Sequence, residues 1–285
     1  MVGNQKQQQF NPLSAYFRQP KIYVKLPSGG QFYPPGALDV SANGEYPVYS
    51  MTAKDELIFK TPDALMNGQA TVELVKSCFP SIKNPWAMPS MDIDAVLIAI
   101  RIATYGEDMD FQSNCPACQE ENTYTLNLIN YIEQVQNFQY NANVVIDDLE
   151  ITLRPYNYKE VTGQSIKALE QQKIFAVIND EKLSDQEKLD RFGESFVKLT
   201  EMTVDIVAGC ISSVKTPQAE VTDQDMIQEF INNAPKEIFN QIVEHVEKMK
   251  ADIDLKAQDV ECGSCKNPYK ITLNIDQSNF FAVRS

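Results

Sequence analysis

The sequence predicts an α+β fold in which β-hairpin elements and a module built on four cysteines carry a large helical insertion. Three observations lead there. From Lys21 to Tyr49 the chain breaks into short β-type segments, KIYVKL, PSGG, QFYPPG and a later EYPVY, divided by Pro and Gly. Two Cys-x-x-Cys motifs stand far apart, at Cys115/Cys118 and Cys262/Cys265, and each is followed by a strand-like run. Beyond Pro155 and almost to residue 255 the only glycines are Gly163, Gly193 and Gly209, few enough for long helices to persist. The chain therefore reads as three parts. Residues 1–20 form an extended N-terminal arm, 21–142 with 258–285 an α+β core, and 143–257 a hairpin and helical insertion domain.

The elements follow in order. Residues 1–20 are rich in Gln and Asn, with Phe10, Leu13, Tyr16 and Phe17 scattered among them, the composition of an arm that orders only against something else. Thr61 before Pro62 starts a helix, because the hydroxyl caps free amides and Pro at the first helical position loses no needed bond; Gly68 stops it. A short helix then covers 71–78. The next takes Ser90 as its cap and runs MDIDAVLIAIRIATYG, with Asp92 and Asp94 near the positive end of the dipole. Ile93, Val96, Leu97 and Ile100 share one face of it, and Gly106 ends it in a left-handed conformation.

Residues 143–154, NVVIDDLEITLR, alternate around Asp147-Asp148 and predict a hairpin. Ser184 with Glu187 fits a capping box for a helix of about 28 residues, striped by Leu189, Phe192, Phe196, Leu199, Thr203, Ile206 and Cys210. Thr222 with Asp225 starts another helix. Pro235 opens the last, whose apolar side holds Ile238, Phe239, Ile242, Val246 and Met249.

A chain of 285 residues with 43% hydrophobic and 22% charged residues buries a core without staples. No apolar run approaches the roughly 18 residues a membrane span requires, so no membrane partner is expected. The N-terminus lacks a secretory signal, and the reducing cytoplasm is the expected place of synthesis. Net charge is -14 with a pI near 4.6, which repels a phosphate backbone and argues against a nucleic-acid partner.

In that compartment paired Cys-x-x-Cys motifs read as metal sites before disulfides. NCPACQEENTYTLNLI and ECGSCKNPYKITLNI look like one unit used twice. Thr125 and Thr272 each open a Thr-Leu-Asn run at the same offset from Cys118 and Cys265. Zinc takes four ligands in a tetrahedron, and two such knuckles close its shell with no open position for substrate. Cys115, Cys118, Cys262 and Cys265 are therefore the expected ligands of one structural Zn2+, in a zinc-ribbon-like module. An iron–sulfur cluster could use the same thiolates. A thiol oxidoreductase would want a helix after its first cysteine, where a strand follows here. Cys78 and Cys210 stand alone and read as small buried hydrophobes.

No Gly-x-Gly-x-x-Gly, phosphate loop or Gly-x-Ser-x-Gly elbow is present, and His245 is the one histidine, bordering an apolar helix face. No catalytic residue and no small-molecule substrate are expected.

The series KLPSGGQFYPPG, MTAKDELIFKTPDALMNGQATVELVKSCF, DIDAVLIAIRIATYG leading into CPAC, and CGSC ending in SNFF resembles the baseplate hub protein family of T-even-like contractile-tailed bacteriophages. The likeness covers roughly residues 21–130 and 258–283. Leu26, Pro27, Ser28, Gly30, Tyr33 and Pro34 match its leading motif, Asp55 and Glu56 the next, and Arg101, Tyr105 and Gly106 the end of the helix before the cysteines. The resemblance implies a structural component of the virion tail baseplate that docks other tail proteins: hub, tape-measure or wedge subunits. Phe10, Tyr16, Phe17, Leu26, Pro27, Tyr33 and Pro34 are the expected docking residues. An assembly chaperone for the hub or tape-measure protein, absent from the mature particle, and a zinc-ribbon nucleic-acid binder are the alternative classes.

Overall fold

The computed structural model describes residues 11–58, 68–136, 140–163, 165, 184–253, 255–273, 275 and 280–281. Phe10 and the helix expected from Thr61 lie outside them. Asn11 caps a 3-10 turn at Pro12–Tyr16, its Oδ1 accepting from the Leu13 amide at 3.0 Å. Every residue from 11 to 17 is exposed, and then Arg18 fastens the chain. Its guanidinium donates to the carbonyls of Ser50 and Ser77 and to Ser77 Oγ, and lies 3.6 Å from Asp55 Oδ2. A planar fork with five donors can satisfy this many acceptors at once.

Strand β1 (Pro20–Lys25) pairs antiparallel with β2 (Glu45–Tyr49), joined by the LPSGGQFYPPG loop. Gly29 and Gly30 take φ of 63° and 83° there, which glycine adopts without strain. Helix α1 (Ala53–Ile58) was not apparent in the sequence. Thr52 and Asp55 cap it reciprocally: Thr52 N and Oγ1 each donate to Asp55 Oδ2 at 2.7 Å, and Asp55 N donates to Thr52 Oγ1. Gly68, with φ 77°, stands at the N-cap of α2 (Gln69–Cys78).

Helix α3 (Ser90–Tyr105) is the axis of the first core, and its burial corrects the expected single apolar face. Residues from Met91 to Ala103 are buried almost all round, as in a helix enclosed by other elements. Ser90 lies inside the first turn and the cap position is Pro89, so no side-chain cap forms; Ser90 N instead donates to the Tyr156 carbonyl at 2.6 Å. Gly106 closes the helix at φ 97° and ψ -178°, a fully extended positive-φ conformation rather than the expected left-handed helical one. Around α3 pack β1, β2, α2 and α4 (Leu128–Gln136), together with Leu255, Ile271, Leu273, Phe280 and Phe281 from the end of the chain.

A second buried cluster is built from 146–249. Strands β5 (Asn143–Ile146) and β6 (Leu149–Leu153) form the expected hairpin, with Asp147 at φ 53° in its turn. Ser184 and Glu187 make the expected capping box, and α5 runs Asp185–Gly209, 25 residues, stopping before Cys210. The stretch beyond Pro155 is not helical throughout. Strand β7 (Ile211–Lys215) pairs with β6, and β8 (Glu220–Val221) with β7, making a sheet ordered β5-β6-β7-β8. Ile211, Ser213 and Val214 turn inward in β7, and their partners in β6 lie some sixty positions earlier, beyond the reach of a local pattern. Helix α6 (Gln224–Asn233) is capped by Asp223 rather than Thr222, because Asp223 Oδ1 accepts from Asp225 N and Met226 N at 3.1 and 3.0 Å. Helix α7 (Lys236–Ile253) follows Pro235 and buries Ile242, Val246 and Met249. Cys78 and Cys210 are both fully buried. Among the described residues no helix is long and apolar enough to cross a membrane.

Candidate metal centre

Two antiparallel hairpins position the cysteines. Strand β3 (Asp108–Asn114) pairs with β4 (Glu121–Asn127), ending on Asn114 opposite Glu121; β9 (Gln258–Glu261) pairs with β10 (Pro268–Ile271), ending on Glu261 opposite Pro268. The six residues at each tip fold alike. Cys115 N donates to Glu120 O at 2.9 Å and Gln119 N to Cys115 O at 2.9 Å; Cys262 N donates to Asn267 O at 3.0 Å and Lys266 N to Cys262 O at 3.1 Å. The residue after each second cysteine takes positive φ, 62° at Gln119 and 61° at Lys266. Left-handed conformations at non-glycine residues carry strain, and here the same strain recurs at the same place in both tips. The unit used twice in sequence is thus a unit used twice in space.

Face to face, these tips bring all four sulfurs within 4.8 Å of one another. Cys115 Sγ lies 3.6 Å from Cys265 Sγ, and Cys118 Sγ lies 3.7 Å from Cys262 Sγ. A disulfide needs about 2.05 Å, so none of the four is bonded to another. Four thiolates around one ion at metal–sulfur distances of about 2.3 Å would lie roughly 3.8 Å apart, close to the separations in those two pairs. Cys115 and Cys262 are buried, Cys118 and Cys265 exposed. Among the described residues this is the one group of three or more His, Cys, Asp or Glu side chains that could hold a metal ion.

The electrostatics divide the four sulfurs. Burial opposes ionisation of Cys115, but the N–H groups of Cys118 and Ala117 outweigh it and lower the thiol. The N–H of Cys265 leads the effects that bring Cys262 down to about 6, against burial and with help from Ser264 N–H and the Asn122 amide. For Cys118 the Glu120 N–H favours the thiolate, yet the neighbouring sulfurs of Cys265, Cys262 and Cys115, with burial, push it up to about 12. Cys115 and Cys262 are eased toward the thiolate while Cys118 is held back, chiefly by the Cys265 sulfur. A bound cation removes that opposition, since it favours every thiolate at once.

Aromatic and amide side chains join the hairpins. Tyr124 Oη donates to Glu261 O at 3.0 Å and meets Tyr269 Oη at 3.0 Å. Asn122 reaches the second tip through its amide. Sequence reading did not single out these residues, because their partners lie about 140 positions away and no local period marks them.

The other expected site residues divide sharply. Tyr16 and Phe17 are 87% and 59% exposed, and Pro34 is exposed. Pro27 and Tyr33 are half-buried, whereas Leu26 is 4% exposed inside the first core. Ser28 and Tyr33 of the same loop bind buried Asp92. Ser28 N and Oγ donate to its two oxygens at 2.8 and 2.6 Å, and Tyr33 Oη donates at 2.9 Å. Burial, opposed by these bonds, pushes the Asp92 carboxyl up to about 6. Arg101 and Tyr105 clasp the C-terminal segment, donating to the carbonyls of Phe280 and Phe281, with the guanidinium 5.3 Å from the Phe280 ring centre. Of the motif residues picked out by resemblance, Ser28, Tyr33, Arg101 and Tyr105 tie distant segments to α3.

A family model described as T4 bacteriophage base plate protein matches residues 19–282. No curated protein and no solved structure matches the chain. The match takes in both cysteine hairpins, the α3 anchors and most of the helical stretch between them. The chain belongs to the T4 bacteriophage base plate protein family, a structural rather than catalytic family of the contractile-tail baseplate.

Proposed function

We propose that this protein is a hub or inner-baseplate subunit that docks neighbouring tail proteins, and that Cys115, Cys118, Cys262 and Cys265 hold one structural zinc ion. The observation that carries the metal reading is the sulfur cluster, with opposed pairs at 3.6 and 3.7 Å. Four sulfur donors in that spacing suit a d10 ion with no demand for an open coordination position. Zinc would supply charge neutralisation and a cross-link, no reaction.

The cross-link has a definite consequence for shape. Residues 119–261 leave from one hairpin tip and return to the other, so the ion clips that long segment at its roots. Closing a long loop removes more disorder from the unfolded chain than closing a short one. The division into an arm at 1–20, a core of 21–142 with 258–285, and an insertion at 143–257 draws support from the two separate buried clusters, with Tyr158 and Leu255 of the insertion packed in the first.

Docking is assigned to the exposed arm residues Tyr16 and Phe17, with Phe10 before them, and to the Pro27–Pro34 strip, where Pro34 is exposed and Tyr33 half-buried. Leu26 supports that strip from beneath. Deleting residues 1–17 spares the Arg18 anchor. The variant should keep the wild-type melting temperature while incorporation into baseplates falls; unchanged incorporation contradicts the arm's role. Mass spectrometry of purified particles should find the chain, and its absence would favour an assembly factor that leaves.

A further inference from the structure

We infer that Asn122 is the positioning residue that latches the second cysteine hairpin onto the first and aims Cys262 at the metal, a role that rests on the zinc reading above. Asn122 stands in β4, four residues past Cys118. Its Nδ2 donates to Glu120 O of its own tip at 2.9 Å and to Cys262 Sγ of the other at 3.5 Å. Its Oδ1 accepts from Gly263 N at 2.9 Å. The amide orientation is set by its surroundings: Gly263 N can only donate and Glu120 O can only accept. One side chain therefore binds both knuckles and touches a ligand sulfur.

The counterpart position in the second hairpin is not equivalent. Tyr269, four residues past Cys265, carries its hydroxyl to Tyr124 Oη at 3.0 Å and Ser113 O at 3.5 Å. The clip is thus asymmetric, with a ligand-directed donor from the first hairpin alone among these two positions. Hydrogen bonds from outside the ligand set fix ligand orientation, and their loss typically weakens metal binding by about 10–100-fold. Preorganisation matters more here than in a local loop, since the two ligand pairs are joined only through a long stretch of chain.

The full-length protein, stripped of metal and titrated with Co2+ and then Zn2+ against a chelator of known affinity, tests the assignment. Asn122→Ala is expected to weaken zinc binding by at least about tenfold and to shift the sulfur-to-cobalt charge-transfer band. Asn122→Asp keeps an acceptor for Gly263 but loses the donor and sets a negative charge beside Cys262, so it should bind no better than the alanine variant. Ser184→Ala removes a helix cap outside both hairpins and should leave the band where it is. If the alanine variant does not fold, Asn122→Ser carries the same expected loss. Wild-type affinity and an unmoved band in Asn122→Ala, or full rescue by Asn122→Asp, overturn the inference. A wild-type chain that takes up neither ion overturns the zinc reading instead, so the two failures are distinguishable.

Discussion

In the first core four polar side chains, Ser28, Asp55, Thr71 and Asp92, are buried among the apolar ones; in the second cluster Ser213 is the buried polar residue among those described. The first core is held in register by directional bonds across long sequence distances: Ser28 to Asp92, Arg18 to Ser77, Arg101 to Phe280. The second rests on amphipathic helices laid on a four-stranded sheet, with caps at Ser184 and Asp223. Apolar packing tolerates substitution of similar volume, whereas a buried polar group that loses its partner carries the full desolvation penalty. The contrast suits a protein whose first core presents a fixed surface and whose four-cysteine cluster, if it holds the proposed zinc, sets where the second region emerges.

The largest expected effect breaks that contrast at its joint. Cys262→Ser removes a buried thiol of the proposed zinc site, and the variant should bind no zinc and melt roughly 10 °C or more below the wild type, measured by differential scanning calorimetry. Next comes Asp92. Asp92→Ala leaves Ser28 and Tyr33 without an acceptor and should cost about 3 kcal/mol in urea unfolding.

Asp92→Asn sharpens the same point through pH. The folded carboxyl titrates near 6, above its unfolded value, so the folded state binds this proton more tightly. Its contribution is therefore most favourable below about pH 4 and falls as pH rises to 6, by roughly 3 kcal/mol in all. The asparagine variant should lack that fall, so wild-type stability minus variant stability should decline between pH 4 and 6. A flat difference would show that Asp92 is ionised throughout. The smallest effect belongs to the second region: Ser184→Ala removes one cap and should cost only about 1 kcal/mol, with no change in metal content.

What could be read in the sequence follows the same divide between local and distant partners. The repeated cysteine unit, the Asp147 turn, the Ser184–Glu187 box and the last helix are each specified by residues within a few positions of one another. Strand β3, DMDFQSN, escaped because it is polar and exposed on alternate residues, and only its partner β4 makes it a strand. Helix α4 follows β4 without a break, and its cap, Asn127, whose Oδ1 accepts from the Ile129 amide at 3.0 Å, is hidden as the last residue of the strand. β7 is five residues directly after a long helix and depends on β6 for its identity. Leu26 was expected among the docking residues, yet the loop folds back over α3 and buries it. Asn122 was invisible for the reason that makes it useful, since its partner arrives from the far end of the chain.

The metal clip is the claim on which the geometry of both regions turns, and native mass spectrometry of the full-length protein, purified without chelators, addresses it directly. One zinc ion per chain is predicted, released together with the appearance of four additional alkylatable thiols when a strong chelator is added. A chain that carries no metal and has all four of these thiols free from the outset would contradict it.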